Sequence, residues 1–127
     1  MRMLLDTHVL LWCLGGDRRL DRKTAALVRS PASDVFYSAA SLWELAIKAS
    51  LGKFRGDLEE LLEALAAEGF SELPVLARHA VEVSALPLHH RDPFDRLLVA
   101  QSRVEALRLY TDDAALARYG ELVVLLG

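Results

Sequence analysis

The chain has 127 residues, 53% of them hydrophobic, a formal net charge of −3 and one cysteine. Those numbers fit one domain over residues 1–127 with a substantial core. They exclude an internal disulfide and a C-x-x-C metal knuckle, and no apolar run is long enough to span a bilayer. The mild acidity gives no global field for nucleic acid, although local basic patches remain compatible with it.

The first element predicted is a short strand at Met3-Leu4-Leu5, followed by a helix through Leu14 that Gly15-Gly16 ends. Asp6 and His8 interrupt the apolar opening, and no cleavage site follows a clean hydrophobic region. The N-terminus therefore does not read as a signal peptide, and a reducing cytoplasm is the expected compartment. Leu20 to Arg29 predicts a helix stopped by Ser30-Pro31, and Val35-Phe36-Tyr37 a strand. Ser41 to Leu51 is helical, with Gly52 as its stop, and Asp57 to Glu68 carries leucines at 58, 61, 62 and 65 at amphipathic spacing. Ser71-Glu72-Leu73 predicts a short strand, Leu76 to Ala85 a helix, and Pro87 to Pro93 a loop. Pro93 opens a helix running to about Ala106. Leu107 to Tyr110 is a strand, Asp113 to Tyr119 a short helix, and Leu122 to Leu125 a last strand. Strands alternating with helices predict an α/β fold: a parallel central sheet with helices on both faces, a three-layer α/β/α sandwich.

Acids recur at equivalent places in this frame. Asp6 follows the first strand, and Glu44 lies in the first turn of the helix after the second. Asp95 lies in the first turn of the helix at Pro93, and Asp112 and Asp113 follow the strand ending near Tyr110. Ligands of open parallel sheets bind beyond the carboxyl ends of the strands, so all of these side chains can face one crevice. Each also has a plainer reading. Asp6 fits a helix N-cap. Ser41-Leu42-Trp43-Glu44 fits an S-x-x-E capping box. Asp95 complements a helix dipole, and Asp112 or Asp113 can cap the helix that follows. What capping does not require is convergence, which raises the pKa of every member. A divalent cation resolves that crowding, and hard oxygen ligands suit Mg²⁺ or Mn²⁺ rather than zinc. Such an ion lowers the pKa of bound water and clamps phosphate, so the arrangement favours metal-assisted phosphodiester hydrolysis.

Four segments, LLDTHVLLW, SAASLWELAIKASLGK, LPLHHRDPFDRLLVAQS and LYTDDAALARYG, occur in this order. Together they resemble the PIN domain, and within it the VapC-type toxin ribonucleases of bacterial and archaeal toxin–antitoxin pairs. The likeness runs from Leu4 to about Val124. It implies a Mg²⁺- or Mn²⁺-dependent endoribonuclease with an RNA substrate, a cognate antitoxin that blocks the site, and a homodimer. It implies Asp6 and Asp95 as the principal metal ligands, with Glu44 and Asp113 completing the cluster directly or through water. Asp112 is an adjacent substitute for Asp113. Thr111 would orient a metal-bound water, and no histidine base is needed.

Other residues have weaker claims. His8 can contact phosphate, yet a surface or helix-packing role is expected for it. The His89-His90-Arg91 run fits phosphate binding or neutralisation of transition-state charge and a solvated loop equally well, and two histidines alone make a poor metal site. Asp92 is expected to cap the helix at Pro93. Arg18, Arg19, Arg22 and Lys23, and Lys48, Lys53 and Arg55, form basic groups that are more simply solvated surface. Trp12 and Trp43 are expected in the core. The leucine stripe at 58 to 65 fits either the core or a groove for a partner. Two other function classes compete. An aspartyl-phosphate enzyme needs D-x-D-x-T after the first strand, but Asp6 is followed by Thr7, His8, Val9 and Leu10. An inert interaction module on the same scaffold would have lost the acids that are retained here.

Overall fold

The computed structural model describes residues 1–126. Among them are five strands: β1 (Arg2–Leu5), β2 (Asp34–Ser38), β3 (Ser71–Leu73), β4 (Arg108–Thr111) and β5 (Val123–Leu125). The helices are α1 (Thr7–Gly15), α2 (Arg22–Arg29), α3 (Ala39–Ser50), α4 (Leu58–Ala67), α5 (Ala77–Val83) and α6 (Pro93–Glu105), with a 3₁₀ turn at Leu116–Tyr119. All strand pairs are parallel, in the order β3-β2-β1-β4-β5. The predicted three-layer α/β/α architecture is present.

Alternation along β1 builds the two cores. Met3 and Leu5 face one side, with Val35, Tyr37 and Tyr110 of the neighbouring strands and with Leu10 and Leu65 of the helices. Leu4 faces the other, with Leu98, Leu109 and Leu116. Met3, Leu4 and Leu5 are fully buried. A continuous apolar run of this kind is what a central parallel strand covered on both faces requires.

Strand order reverses at β1: the chain first builds outward to β2 and β3, then crosses to β4 and β5 on the other side. That switch point, between β1 and β4, opens a crevice at the carboxyl ends of the strands. The β1–β4 register aligns Leu5 with Tyr110, and the Asp6 amide donates to the Tyr110 carbonyl at 3.0 Å. Asp6 is therefore held beside Thr111 by the sheet itself.

The helix that follows β2 starts earlier than the sequence pattern predicts. Ser38 is its N-cap, accepting from the Ala40 amide, so the helix begins at Ala39 rather than Ser41. The Ser41–Glu44 capping box does not form, which frees Glu44 for other contacts. Trp43 also departs from expectation: it is 62% exposed, whereas Trp12 is in the core. Helix α3 has apolar residues on more than one face, and periodicity alone cannot choose the buried one. The leucine stripe of α4 divides, with Leu65 in the core and Leu62 partly exposed.

A buried polar bridge ties the layers together near the crevice. The Ser38 hydroxyl donates to Gln101 Oε1 at 2.6 Å, and Gln101 Nε2 donates to the Pro74 carbonyl at 3.3 Å. Both side chains are fully buried. Gln101→Leu leaves Ser38 and Pro74 without these partners and is expected to cost about 1–3 kcal/mol. A thermal melt reads this as a Tm lowered by several degrees; a shift below about 1 °C contradicts it.

Candidate active site

Asp6 ends β1 and caps α1. One carboxylate oxygen accepts from the Val9 amide at 2.9 Å, and the other accepts from the Thr111 hydroxyl at 2.5 Å. Its side chain is buried, and burial pushes its pKa up against the lowering pull of those two donors. The capping reading and the convergence reading of Asp6 are therefore compatible. The Thr111 hydroxyl also accepts from the Asp113 amide at 3.0 Å. It thus ties two acids of the chain together, donating to Asp6 and accepting from the Asp113 amide.

Glu44 reaches the cleft from the second turn of α3. The Thr7 hydroxyl, 3.0 Å from Ser41 Oγ, donates to Glu44 Oε1 at 2.7 Å. Lys48, one turn later, pairs with Glu44 Oε2 at 3.3 Å. Asp92 caps α6 as expected, accepting from the Phe94 and Asp95 amides. This places Asp95 in the first turn, facing the cleft. Its pKa is pushed up to about 7, first by burial and then by the charge of Asp92, with Asp6 and Glu44 adding to the rise; an imidazolium at His90 would oppose it.

Asp113 rather than Asp112 turns into this cleft. Asp113 Oδ1 accepts from the Ala115 amide and Oδ2 from His90 Nε2 at 2.8 Å. Asp112 instead lies 3.7 Å from His8 Nδ1 on the outer side. The resulting cleft, about 180 Å³, is lined by Thr7, His8, Glu44, Lys48, Asp92, Asp95 and Asp113. Asp6 lies behind this lining, next to Thr7. His90, Asp95 and Asp113 can each offer an atom to one ion, all within 4.8 Å of one another. An oxygen-rich set with repelling charges fits a hard divalent cation.

His90, for which the sequence leaves a phosphate contact and a solvated loop equally open, stands in the cleft beside Asp95 and Asp113. It lies 23 positions from its partner Asp113, and no periodic pattern marks a contact of that kind. His89 packs edge-on against Tyr119 instead. His8 stays exposed and stacks over Trp12. The basic groups do not form one stripe: Arg19 is paired with Asp17 over the Trp12 ring, and Lys48 belongs to the cleft. Burial pushes the Cys13 thiol up to about 11, which favours its protonated form.

A second concavity, about 370 Å³, lies between α3 and α4. Trp43, Leu42, Ala46, Leu58, Leu62 and Tyr37 line it. Trp43 also meets the Phe94 ring edge-on at 5.2 Å, which links this groove to the start of α6.

A family model of the PIN domain matches residues 3–122. No curated protein sequence matches the chain. Among solved structures it is similar to the VapBC2 complex of Rickettsia felis bound to a DNA fragment from its promoter. The TM-score there is 0.70 at 15% identity, over 98% of this chain and 97% of that one. It is also similar to a toxin–antitoxin complex from Klebsiella pneumoniae, with a TM-score of 0.68 at 19% identity over 98% of both chains. At these identities the likeness is one of fold. Matched by the family model over most of its length, the chain belongs to the PIN domain family.

Proposed function

We propose that this protein is a divalent-metal-dependent endoribonuclease, the toxin of a toxin–antitoxin pair, acting in the cytoplasm. The observation that carries the reading is the convergence of Asp95, Asp113 and Glu44 in one cleft at the switch point, with Asp6 directly behind. Membership of the PIN family and the likeness to two toxin–antitoxin complexes support the same conclusion.

Asp6, Glu44, Asp95 and Asp113 would hold the cation, Mg²⁺ or Mn²⁺. Each Asp6 oxygen accepts one hydrogen bond and so retains a further lone pair for an ion. When bound, such an ion supplies positive charge to the scissile phosphate and acidifies a coordinated water. The chain's own residues do the rest. The α1 N-cap and Thr111 orient Asp6, the Thr7 hydroxyl orients Glu44, and Lys48 offers a cation to a phosphate oxygen at the cleft edge. With Asp95 poised near neutrality, its charge is available to a cation at little cost in protons.

The groove between α3 and α4 suits the partner half of the proposal. An exposed Trp43 beside Leu58 and Leu62 offers an aromatic anchor for an amphipathic helix. A homodimer is the other arrangement compatible with an exposed apolar face of this kind.

RNA cleavage is expected with Mn²⁺, lost with EDTA, and lowered at least about 100-fold in Asp95→Asn. Activity surviving both chelation and that substitution overturns the reading. The Asp95 pKa makes a separate prediction about stability. Between the unfolded value of 3.8 and the folded value of about 7, the native state keeps a proton that the unfolded chain has lost. Stability therefore falls as pH rises through that window, and the full cost is present above it. Asp95→Asn is expected to raise Tm by roughly 5 °C at pH 8 without added metal and to change it little at pH 4. An equal shift at both pH values contradicts this.

A further inference from the structure

His90 reaches the cleft from the loop between α5 and α6, and its ring is fixed at both nitrogens. The Asp92 amide donates to His90 Nδ1 at 3.0 Å. A backbone amide has only a hydrogen to offer, so Nδ1 presents its lone pair and the ring's hydrogen is on Nε2. That N–H points at Asp113 Oδ2, 2.8 Å away, with Asp95 Oδ2 farther off at 3.5 Å. A nitrogen carrying a hydrogen has no lone pair for a metal. Coordination through Nε2 would move the hydrogen to Nδ1, where it would meet the Asp92 N–H head-on.

The Asp92 amide is not free to turn away. Asp92 Oδ1 holds the Phe94 and Asp95 amides at 2.8 and 3.1 Å as the cap of α6. The loop itself is anchored: the His89 and His90 amides both donate to the Tyr119 hydroxyl at 3.1 Å. Arg96 spans the loop base, with Nη1 on the Pro87 carbonyl and the Tyr119 hydroxyl at 3.1 Å, and Nη2 on the Val83 carbonyl at 3.2 Å. The proximity of His90 to two carboxylates would suit a third ligand, but its hydrogen bonding suits a donor.

We propose that His90 is a positioning residue, a tautomer-locked N–H donor that fixes the Asp113 carboxylate, and that the cation sphere receives no nitrogen from it. With Ala115 on one oxygen and His90 on the other, Asp113 is held in one orientation before any ion binds. The proposal rests on the reading of the cleft as a cation site.

Two measurements on the wild-type protein test it without requiring turnover. Two-bond ¹H–¹⁵N correlation of the cation-free protein is expected to report the Nε2–H tautomer at His90, and an Nδ1–H pattern overturns the proposal. Pulsed EPR of the Mn²⁺-loaded protein is expected to lack directly coordinated ¹⁴N; a nitrogen coupling that disappears in His90→Ala overturns it. In the cleavage assay, His90→Ala is expected to lose about 10–100-fold in kcat with KM little changed, as outer-shell partners of a metal site do. His90→Gln, which keeps an N–H donor at similar reach, is expected to recover most of that loss with Mn²⁺ affinity unchanged. A Gln variant as impaired as Ala overturns the positioning part. If the wild-type protein binds Mn²⁺ but cuts no RNA, the nuclease reading fails while the two spectroscopic results still decide the role of His90.

Discussion

The Thr111 hydroxyl joins the first acid of the site to the last. It donates to Asp6 and accepts from the Asp113 amide, and it can do so only because parallel pairing of β1 with β4 brings residues 6 and 111 side by side. Around that joint the fold collects like charge. Asp95 comes from the start of α6 and Glu44 from α3; burial first, then the charge of Asp92, with Asp6 and Glu44 adding to the rise, moves the Asp95 carboxyl to about 7. A structure stabilised only for itself has no reason to keep such a group. The cost is understandable where the charge has a ligand to meet.

Much of the rest of the structure steadies this cluster. The helix caps are also site-builders: Asp6 begins α1, Ser38 begins α3 and carries Gln101, and Asp92 begins α6 while setting the His90 ring. Helix N-termini converge at the carboxyl edge of the sheet, where their partial positive charge offsets some of the carboxylate repulsion. The arrangement is one in which satisfied backbone amides and functional acids share the same few residues. Among the described residues, no buried side-chain polar atom is left without a partner.

The sheet and its helices were legible because alternation and helical periodicity act locally, and all the predicted strands are present with ends shifted by at most one residue. The acids were legible as a group because each follows a strand or opens a helix. What could not be read was direction. The S-x-x-E pattern at Ser41 is compatible with a capping box, but the chain caps at Ser38, a choice set by the end of β2. Trp43 belongs to a helix apolar on several sides, and only the packed layers reveal which side meets solvent. Asp112 and Asp113 are adjacent and chemically identical, and the turn after β4 alone separates them. His90 escaped because its position depends on Tyr119 and Arg96, which hold its loop from elsewhere in the chain.

The cleft and the apolar groove lie on neighbouring surfaces, connected through Trp43 and Phe94. A partner seated in the groove would approach α6 at the turn that carries Asp95, which gives inhibition by a bound helix a short physical route. Everything functional in this account nevertheless rests on the cleft taking a cation. The most direct test is calorimetric titration of Mn²⁺ into the protein at pH 7 in two buffers of different ionisation enthalpy. With Asp95 near half-protonated, binding is expected to release roughly half a proton per cation. Absence of binding at millimolar Mn²⁺, or binding with no proton release, would contradict the account.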